Sequence, residues 1–322
     1  MTIIKVAVWG LGNHAKNRIL PTISSTKGIS LIGVCSRNLV EVEKTSKRWK
    51  CIGWDEPSKM LNTFDVDVVY ISTPIGVHFQ MAKQAIESGK HVWCEKPLTC
   101  SYEDTQKLIS ISNERNKVLT ESFMYLYHPQ FQRLKSFISN SKKINSVICR
   151  FGIPSLVEPG FRDNPELCGG ALWDVGSYTT SAILSLFPDQ KVEVLFSEIL
   201  KKNISSVDNE GRALLRFSKG VTCFLEWGTG LAYRNEIDIW SADGSFFTEK
   251  IFSKPKGYLP QYKIRDMNGN EHIEFGRESE QFMDMFSIFL GIMNSKNKIS
   301  AEKKLILKRA ELLNEIVNFK GV

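Results

Sequence analysis

VWGLGNHAKNRILP (residues 8–21) is the stretch on which the reading of the chain turns. It overlaps the end of IIKVAVW (3–9), a β-branched apolar run long enough for a strand buried on both faces and too short for a helix. Gly10-Leu11-Gly12 ends that strand, and from Asn13 the pattern turns helical, with Pro21 expected to kink or stop the helix. Unpaired backbone N–H groups and the helix dipole meet at a helix start, and phosphates bind there. Gly10 and Gly12 fit the tight turn and the close backbone approach to a pyrophosphate. Ala15 takes the third place of the fingerprint and still allows close helix–strand packing. A bare Gly-x-Gly is also an ordinary strand–helix turn. Its place between a first strand and a helix makes dinucleotide binding the expectation, with Gly10, Leu11, Gly12, Asn13 and His14 at the cofactor.

Working outward, ISLIGVC (29–35) reads as a second strand, 39–49 as an exposed charged helix, and VDVVYIS (66–72) as a third strong strand. A helix over 77–88 stops at Gly89; HVWC (91–94), a helix over 102–116 and VLT (118–120) follow. Strands alternating with helices at this spacing predict an α/β fold, a doubly wound parallel Rossmann sheet over residues 1–122. An acidic residue at the tip of the second strand would accept from ribose hydroxyls and repel a 2′-phosphate. This chain has Ser36-Arg37 there, a hydroxyl and a guanidinium suited to a phosphate dianion. NADP(H) is therefore favoured. NAD(H) remains possible, because Arg37 could instead stack on the adenine face.

The alternation fails after about residue 122. A helix near 129–139, a strand at INSVICRF (144–151) and a long helix near 172–187 come next. Strand-like runs near 191–199, 212–217, 221–227 and 235–241 are joined by turns such as SKG and ADG, which predict antiparallel hairpins. Two helices, near 278–294 and 301–318, close the chain. Residues 123–322 thus read as an α+β domain with a largely antiparallel open sheet, for substrate binding and oligomerisation.

Bulk properties narrow the function. The 322 residues suggest two domains. The net charge of +7 mildly favours anionic ligands, but the lysines are spread along the chain. No nucleic-acid surface is expected, and Lys201-Lys202 and Lys303-Lys304 read as solvated faces. Seven cysteines without a C-x-x-C pair argue against a secreted disulfide framework and against a zinc site. The first residues lack a signal-peptide pattern, and no apolar run reaches membrane-spanning length. A cytoplasmic protein without membrane partners is the expectation.

Three motifs carry a family resemblance: ISTPIGVH (71–78), CEKPLT (94–99) and GGALWDVGSY (169–178). In this order the chain resembles the glucose–fructose oxidoreductase / inositol dehydrogenase / MocA family over nearly its whole length. The resemblance implies cofactor contacts at Thr73, Pro74, His78, Glu95, Lys96 and Pro97, with Lys96 beside the nicotinamide and Lys96–Pro97 often cis in relatives. It implies Asp174 and Tyr178 as the downstream catalytic pair, Tyr178 as the proton donor or acceptor. Many relatives have Asn where this chain has Ile75. The chemistry stands beside the name: reducing a ketone needs a proton at oxygen, and a phenol serves if a nearby cation such as Lys96 stabilises the phenolate.

SFMYLYHPQ (122–130) looks like the family's domain junction, with His128 near the cleft in either a structural or a substrate role. FRDNPEL (161–167) and AYRNEIDIWSADGSFFTEKIFSKPKG (232–257) are similar to segments of relatives that act on nucleotide-linked sugars. The chain therefore resembles nucleotide-sugar ketoreductases, with Arg162, Trp173, Tyr233 and Arg234 joining His128, Asp174 and Tyr178 as substrate candidates. The scaffold also permits a dehydrogenase of a free sugar, polyol or dihydrodiol, an NAD-dependent glycosidase, or a dinucleotide-sensing regulator. A homodimer or homotetramer is expected through the open sheet.

Overall fold

Six strands, β1 (Ile4–Trp9), β2 (Ile29–Cys35), β3 (Ile52–Trp54), β4 (Val68–Ile71), β5 (His91–Cys94) and β6 (Leu119–Glu121), lie parallel in the order β3-β2-β1-β4-β5-β6. The computed structural model describes residues 3–201 and 206–320, so Lys202 lies outside the described residues. Val6, Ala7 and Val8 are fully buried, as a central parallel strand covered on both faces requires. Helices α1 (Leu20–Ser25), α2 (Leu39–Trp49), α3 (Pro57–Leu61), α4 (His78–Glu87) and α5 (Tyr102–Glu114) supply the crossovers. Local chemistry sets their starts: the Asn38 side chain accepts from the Glu41 N–H at α2, and Ser101 accepts from the Asp104 N–H at α5. The strand order reverses between β1 and β4, and in such sheets ligands bind beyond the carboxyl ends at that reversal. Gly10 and Thr73 stand there.

Two expectations are corrected. Lys303 is buried rather than solvated, its Nζ donating to Asn113 Oδ1 at 2.8 Å. Pro21 does not stop the first helix, which runs on to Ser25. The five residues before α1, Ala15–Ile19, form a π turn in which the Leu20 N–H reaches back to the Ala15 carbonyl. The wider turn absorbs the bond that proline cannot donate.

The chain forms two compact units, Met1–Ser122 with Phe282–Leu307, and Phe123–Gln281 with Lys308–Val322. A linear division gives the break after residue 122 and has no signal for the return of the last helices. In the first unit Phe286, on the helix Gln281–Met293, packs 5.6 Å from both Tyr70 and Trp93, and Phe289 lies 5.5 Å from Trp93. Ile306, from the helix Lys296–Val317, joins the core under the parallel sheet.

In the second unit, α6 (Pro129–Asn140), α7 (Ser177–Leu186) and eight strands form the fold. The strands are β7 (Ile144–Ile153), β8 (Val192–Leu200), β9 (Glu210–Phe217), β10 (Thr222–Thr229), β11 (Arg234–Ser241), β12 (Gly244–Glu249), β13 (Gln261–Asp266) and β14 (Glu271–Phe275). Their order is β14-β13-β12-β11-β7-β10-β9-β8. Every pairing is antiparallel except β7 with β10, so the sheet is largely antiparallel. Period-two alternation buries Val147, Cys149, Cys223, Leu225, Ile237, Ile239 and Phe246 on one face. α7 is buried on all sides and packs on β7 and β10. The opposite face carries Phe196, Trp240, Ile273 and Phe275, which are paired through the ladders onto one side and remain exposed. β3, β13 and β14 escape a sequence reading. β3 is three residues long, and β13 and β14 are mostly exposed strands with only two apolar residues each. Among the described residues no helix is long and apolar enough to cross a membrane, and no cluster of His, Cys, Asp and Glu could hold a metal.

Candidate active site

At the end of β1 the two glycines do different work. Gly10 has φ +106°, and a Cβ there would lie 2.4 Å from the Ser72 carbonyl oxygen and 2.7 Å from Thr73 Cγ2. It is required by the backbone. A Cβ on Gly12 would meet nothing within 4 Å, so the missing side chain leaves open space at the helix start. That is the space a pyrophosphate needs, and the turn fits a dinucleotide. Leu11 is buried, whereas Asn13 and His14 are exposed. At the end of β2, Arg37 is exposed and the Ser36 hydroxyl accepts from the Asn38 N–H at 3.3 Å.

The Glu95-Lys96-Pro97 turn follows β5, and the Lys96–Pro97 peptide is cis. Glu95 Oε1 accepts from the Tyr70 hydroxyl at 2.5 Å and pairs with His14 Nε2 at 2.8 Å, tying this turn to the glycine turn. Burial pushes the Glu95 carboxyl up, but His14, Tyr70 and Lys96 together hold it below the usual carboxylate value. Burial and the Glu95 charge push the Tyr70 phenol far up. Two buried side chains fix the turn further. His78 lies with Nδ1 3.1 Å from the Pro97 carbonyl and Nε2 2.9 Å from the Thr73 carbonyl. Glu121 Oε1 accepts from the Leu98 N–H at 2.8 Å. His78 is thus fully buried and acts on backbone, while Thr73 and Pro74 are half-buried and Ile75 is buried. The structure brings His14, Glu95, Lys96, Pro97, Thr73 and His78 into one constellation.

In the second unit, α7 is preceded by a π turn, Leu172–Gly176, that carries Trp173 and Asp174. Asp174 Oδ2 accepts from Arg162 Nε at 2.6 Å, so two residues singled out separately form an ion pair. Trp173 is half-buried, and its carbonyl accepts from the Ser177 hydroxyl at 2.8 Å. Tyr178, at the start of α7, is 8% exposed. Its ring is walled by Phe151 at 5.2 Å, Phe123 at 5.5 Å, and Tyr125 and Phe252 at 5.7 Å. Its hydroxyl lies 3.9 Å from Met124 Sδ.

The remaining candidates are placed differently. His128 is fully buried and caps α6, its Nδ1 accepting from the Gln130 N–H at 3.0 Å. Burial, with Lys254 and Arg277 nearby, pushes its pKa down to about 3, so it stays neutral and gives the helix an acceptor. Tyr233 is 48% exposed, and its hydroxyl accepts from Asn235 Nδ2 at 2.9 Å. Arg234 pairs with Glu236 at 3.0 Å. Tyr70, Glu121 and Asp208, whose Oδ2 accepts from the Leu172 N–H at 2.7 Å, escape a sequence reading. Tyr70 hides inside an apolar strand, and the other two act on backbone far along the chain.

Two family models match the sequence. The oxidoreductase family with an NAD-binding Rossmann fold, of GFO/IDH/MocA type, matches residues 4–123, and the GFO/IDH/MocA C-terminal domain matches residues 131–247. A dTDP-3,4-didehydro-2,6-dideoxy-alpha-D-glucose 3-reductase from Saccharopolyspora spinosa is 28% identical, over 81% of this chain and 79% of its own length. The enzyme of that name from Streptomyces violaceoruber is 25% identical over 97% of this chain and 94% of its own. Among solved structures, KijD10, a 3-ketoreductase from Actinomadura kijaniata in complex with NADP and TDP-benzene, has a TM-score of 0.91 at 26% identity. That match covers 98% of this chain and 97% of the other.

Proposed function

The chain belongs to the GFO/IDH/MocA oxidoreductase family, and from that membership we propose that it is an NADP(H)-dependent ketoreductase of a nucleotide-linked keto-sugar. The observation that carries the reading is likeness over almost the full chain to a 3-ketoreductase crystallised with NADP and TDP-benzene. Deoxysugar synthesis is the corresponding role. Residues 1–122 hold the dinucleotide; residues 123–322 bind the sugar and form the oligomer.

Gly10, Leu11, Gly12, Asn13 and His14 receive the pyrophosphate, and Ser36 with Arg37 the 2′-phosphate. The dinucleotide supplies the hydride when bound. Lys96 polarises the carbonyl and stabilises negative charge on its oxygen. Tyr178 delivers the proton from a site whose aromatic walls exclude water. Asp174, paired with Arg162, orients a sugar hydroxyl, and Trp173 and Tyr233 line the approach. His128 contributes through the start of α6 rather than by touching substrate. The exposed face with Trp240, Ile273 and Phe275 supports a homodimer or homotetramer, and the free thiols of Cys35, Cys51, Cys94, Cys149 and Cys223 a cytoplasmic setting.

NADPH oxidation with a panel of dTDP-linked 3-keto sugars tests this. Turnover is expected with NADPH at least about tenfold above NADH, the scale of one charge-assisted contact, and Arg37→Ala narrows that ratio. Turnover only with free sugars, in the oxidising direction, would replace the reading with a dehydrogenase.

A further inference from the structure

Asp208 lies just before β9, far in sequence from the motif around Asp174, yet its carboxyl group sits on that motif. Asp208 Oδ2 accepts from the Leu172 N–H at 2.7 Å, across 36 residues, and its carbonyl accepts from the Ala171 N–H at 3.0 Å. These are donors at the start of the helical segment, where Ala171 has no side chain able to cap.

The double glycine is the other half of the arrangement. Gly170 has φ +115°, and a Cβ there would lie 2.1 Å from Asp208 Oδ1. A Cβ on Gly169 would lie 2.3 Å from the Arg162 carbonyl oxygen. That carbonyl accepts from the Gly170 N–H at 2.8 Å, while the same residue's guanidinium holds Asp174. The two glycines therefore admit one carboxylate and one carbonyl against the turn. Asp208 fixes where the helix begins; Arg162 fixes the carboxylate within its first turn.

We infer that Asp208 is a positioning residue for the reaction, acting through the Leu172 N–H to set Asp174 and Tyr178. This rests on the ketoreductase reading for its effect on rate, but not for its effect on the helix start.

The test compares Asp208→Ala with Asp208→Asn in the full-length chain. The amide oxygen of asparagine still accepts from the Leu172 N–H. In Asp208→Ala, kcat should fall about ten- to a hundredfold, the scale of a small misplacement at the reacting centre. The NADPH dissociation constant, read by nicotinamide fluorescence, should stay within about twofold, and Asp208→Asn should recover most of the rate. Amide hydrogen exchange over 171–178 reads the same claim without substrate: faster in Asp208→Ala, near wild type in Asp208→Asn. Unchanged exchange there in Asp208→Ala overturns the inference, as does an equal loss in both variants or an unfolded chain that no longer binds NADPH. If wild type turns over no nucleotide sugar while exchange behaves as expected, the substrate assignment fails and the positioning role stands.

Discussion

Lys96 and Tyr178 are held by contrasting means. Lys96 sits on a turn between β5 and α5 whose neighbours in sequence do much of the holding: Glu95 bonds Tyr70 and His14, and Pro97 meets His78. Tyr178 sits on a buried helix whose start is set from elsewhere, by Asp208 through Leu172 and by Arg162 through Asp174. The first arrangement joins tips of adjacent strands of one sheet; the second joins loops brought together by the packing of the second unit. A motif of a few letters can describe the former and captures only part of the latter.

The largest effects break the comparison at its centres. Tyr178→Phe keeps the ring among its aromatic neighbours and removes only the hydroxyl, so the chain should fold, bind NADPH normally and lose about 10²- to 10⁴-fold in kcat. Lys96→Ala should cost about 10²- to 10³-fold, the scale of removing one electrostatic stabiliser. Steady-state kinetics with parallel NADPH titration checks both. If Lys96→Ala lowered NADPH affinity alone, the first unit would bind and the second would do all the proton chemistry.

A middle-sized effect sharpens the contrast between the two glycines of the first turn. Gly10→Ala places a Cβ against Ser72 at a positive φ and should cost on the order of 1–3 kcal/mol of stability, read by thermal or urea unfolding. Gly12→Ala meets no protein atom; it should unfold like wild type and weaken NADPH by about tenfold, or ~1.4 kcal/mol.

The smallest effect concerns pH. Glu95 in the folded chain is held below its ordinary value, so its ionised form contributes stability that is complete above about pH 4.3. That contribution fades as pH falls through the lower folded value. Glu95→Gln should flatten the acid side of the melting profile by under about 1 kcal/mol, since His14 is 43% exposed and screened. A steeper acid limb in the variant would mean that Glu95 is held protonated.

The legible parts of this protein share one property: their cause lies within a few residues. β1, its glycine turn and the alternation of β7 and β11 follow from burial periodicity and turn chemistry. The π turn before Pro21 was not legible, because whether a helix stops at proline or widens around it depends on what packs against it. Nor was the return of Phe286 onto Trp93, which joins residues almost two hundred apart. His128 and His78 look alike as lone histidines in a sequence; burial and backbone partners give each its task.

By itself the sequence determined a parallel dinucleotide fold followed by an antiparallel sheet domain, and named Lys96, Asp174 and Tyr178 as the groups worth watching. Tertiary structure alone decided how those groups are held: Asp208 over the double glycine, Arg162 on Asp174, Glu121 on Leu98. The reason is physical. Strand and helix patterns record whether each side chain faces water, a property repeated every few residues. A carboxylate that takes a backbone N–H from 36 residues away leaves no period in the chain, and only folding brings the two together.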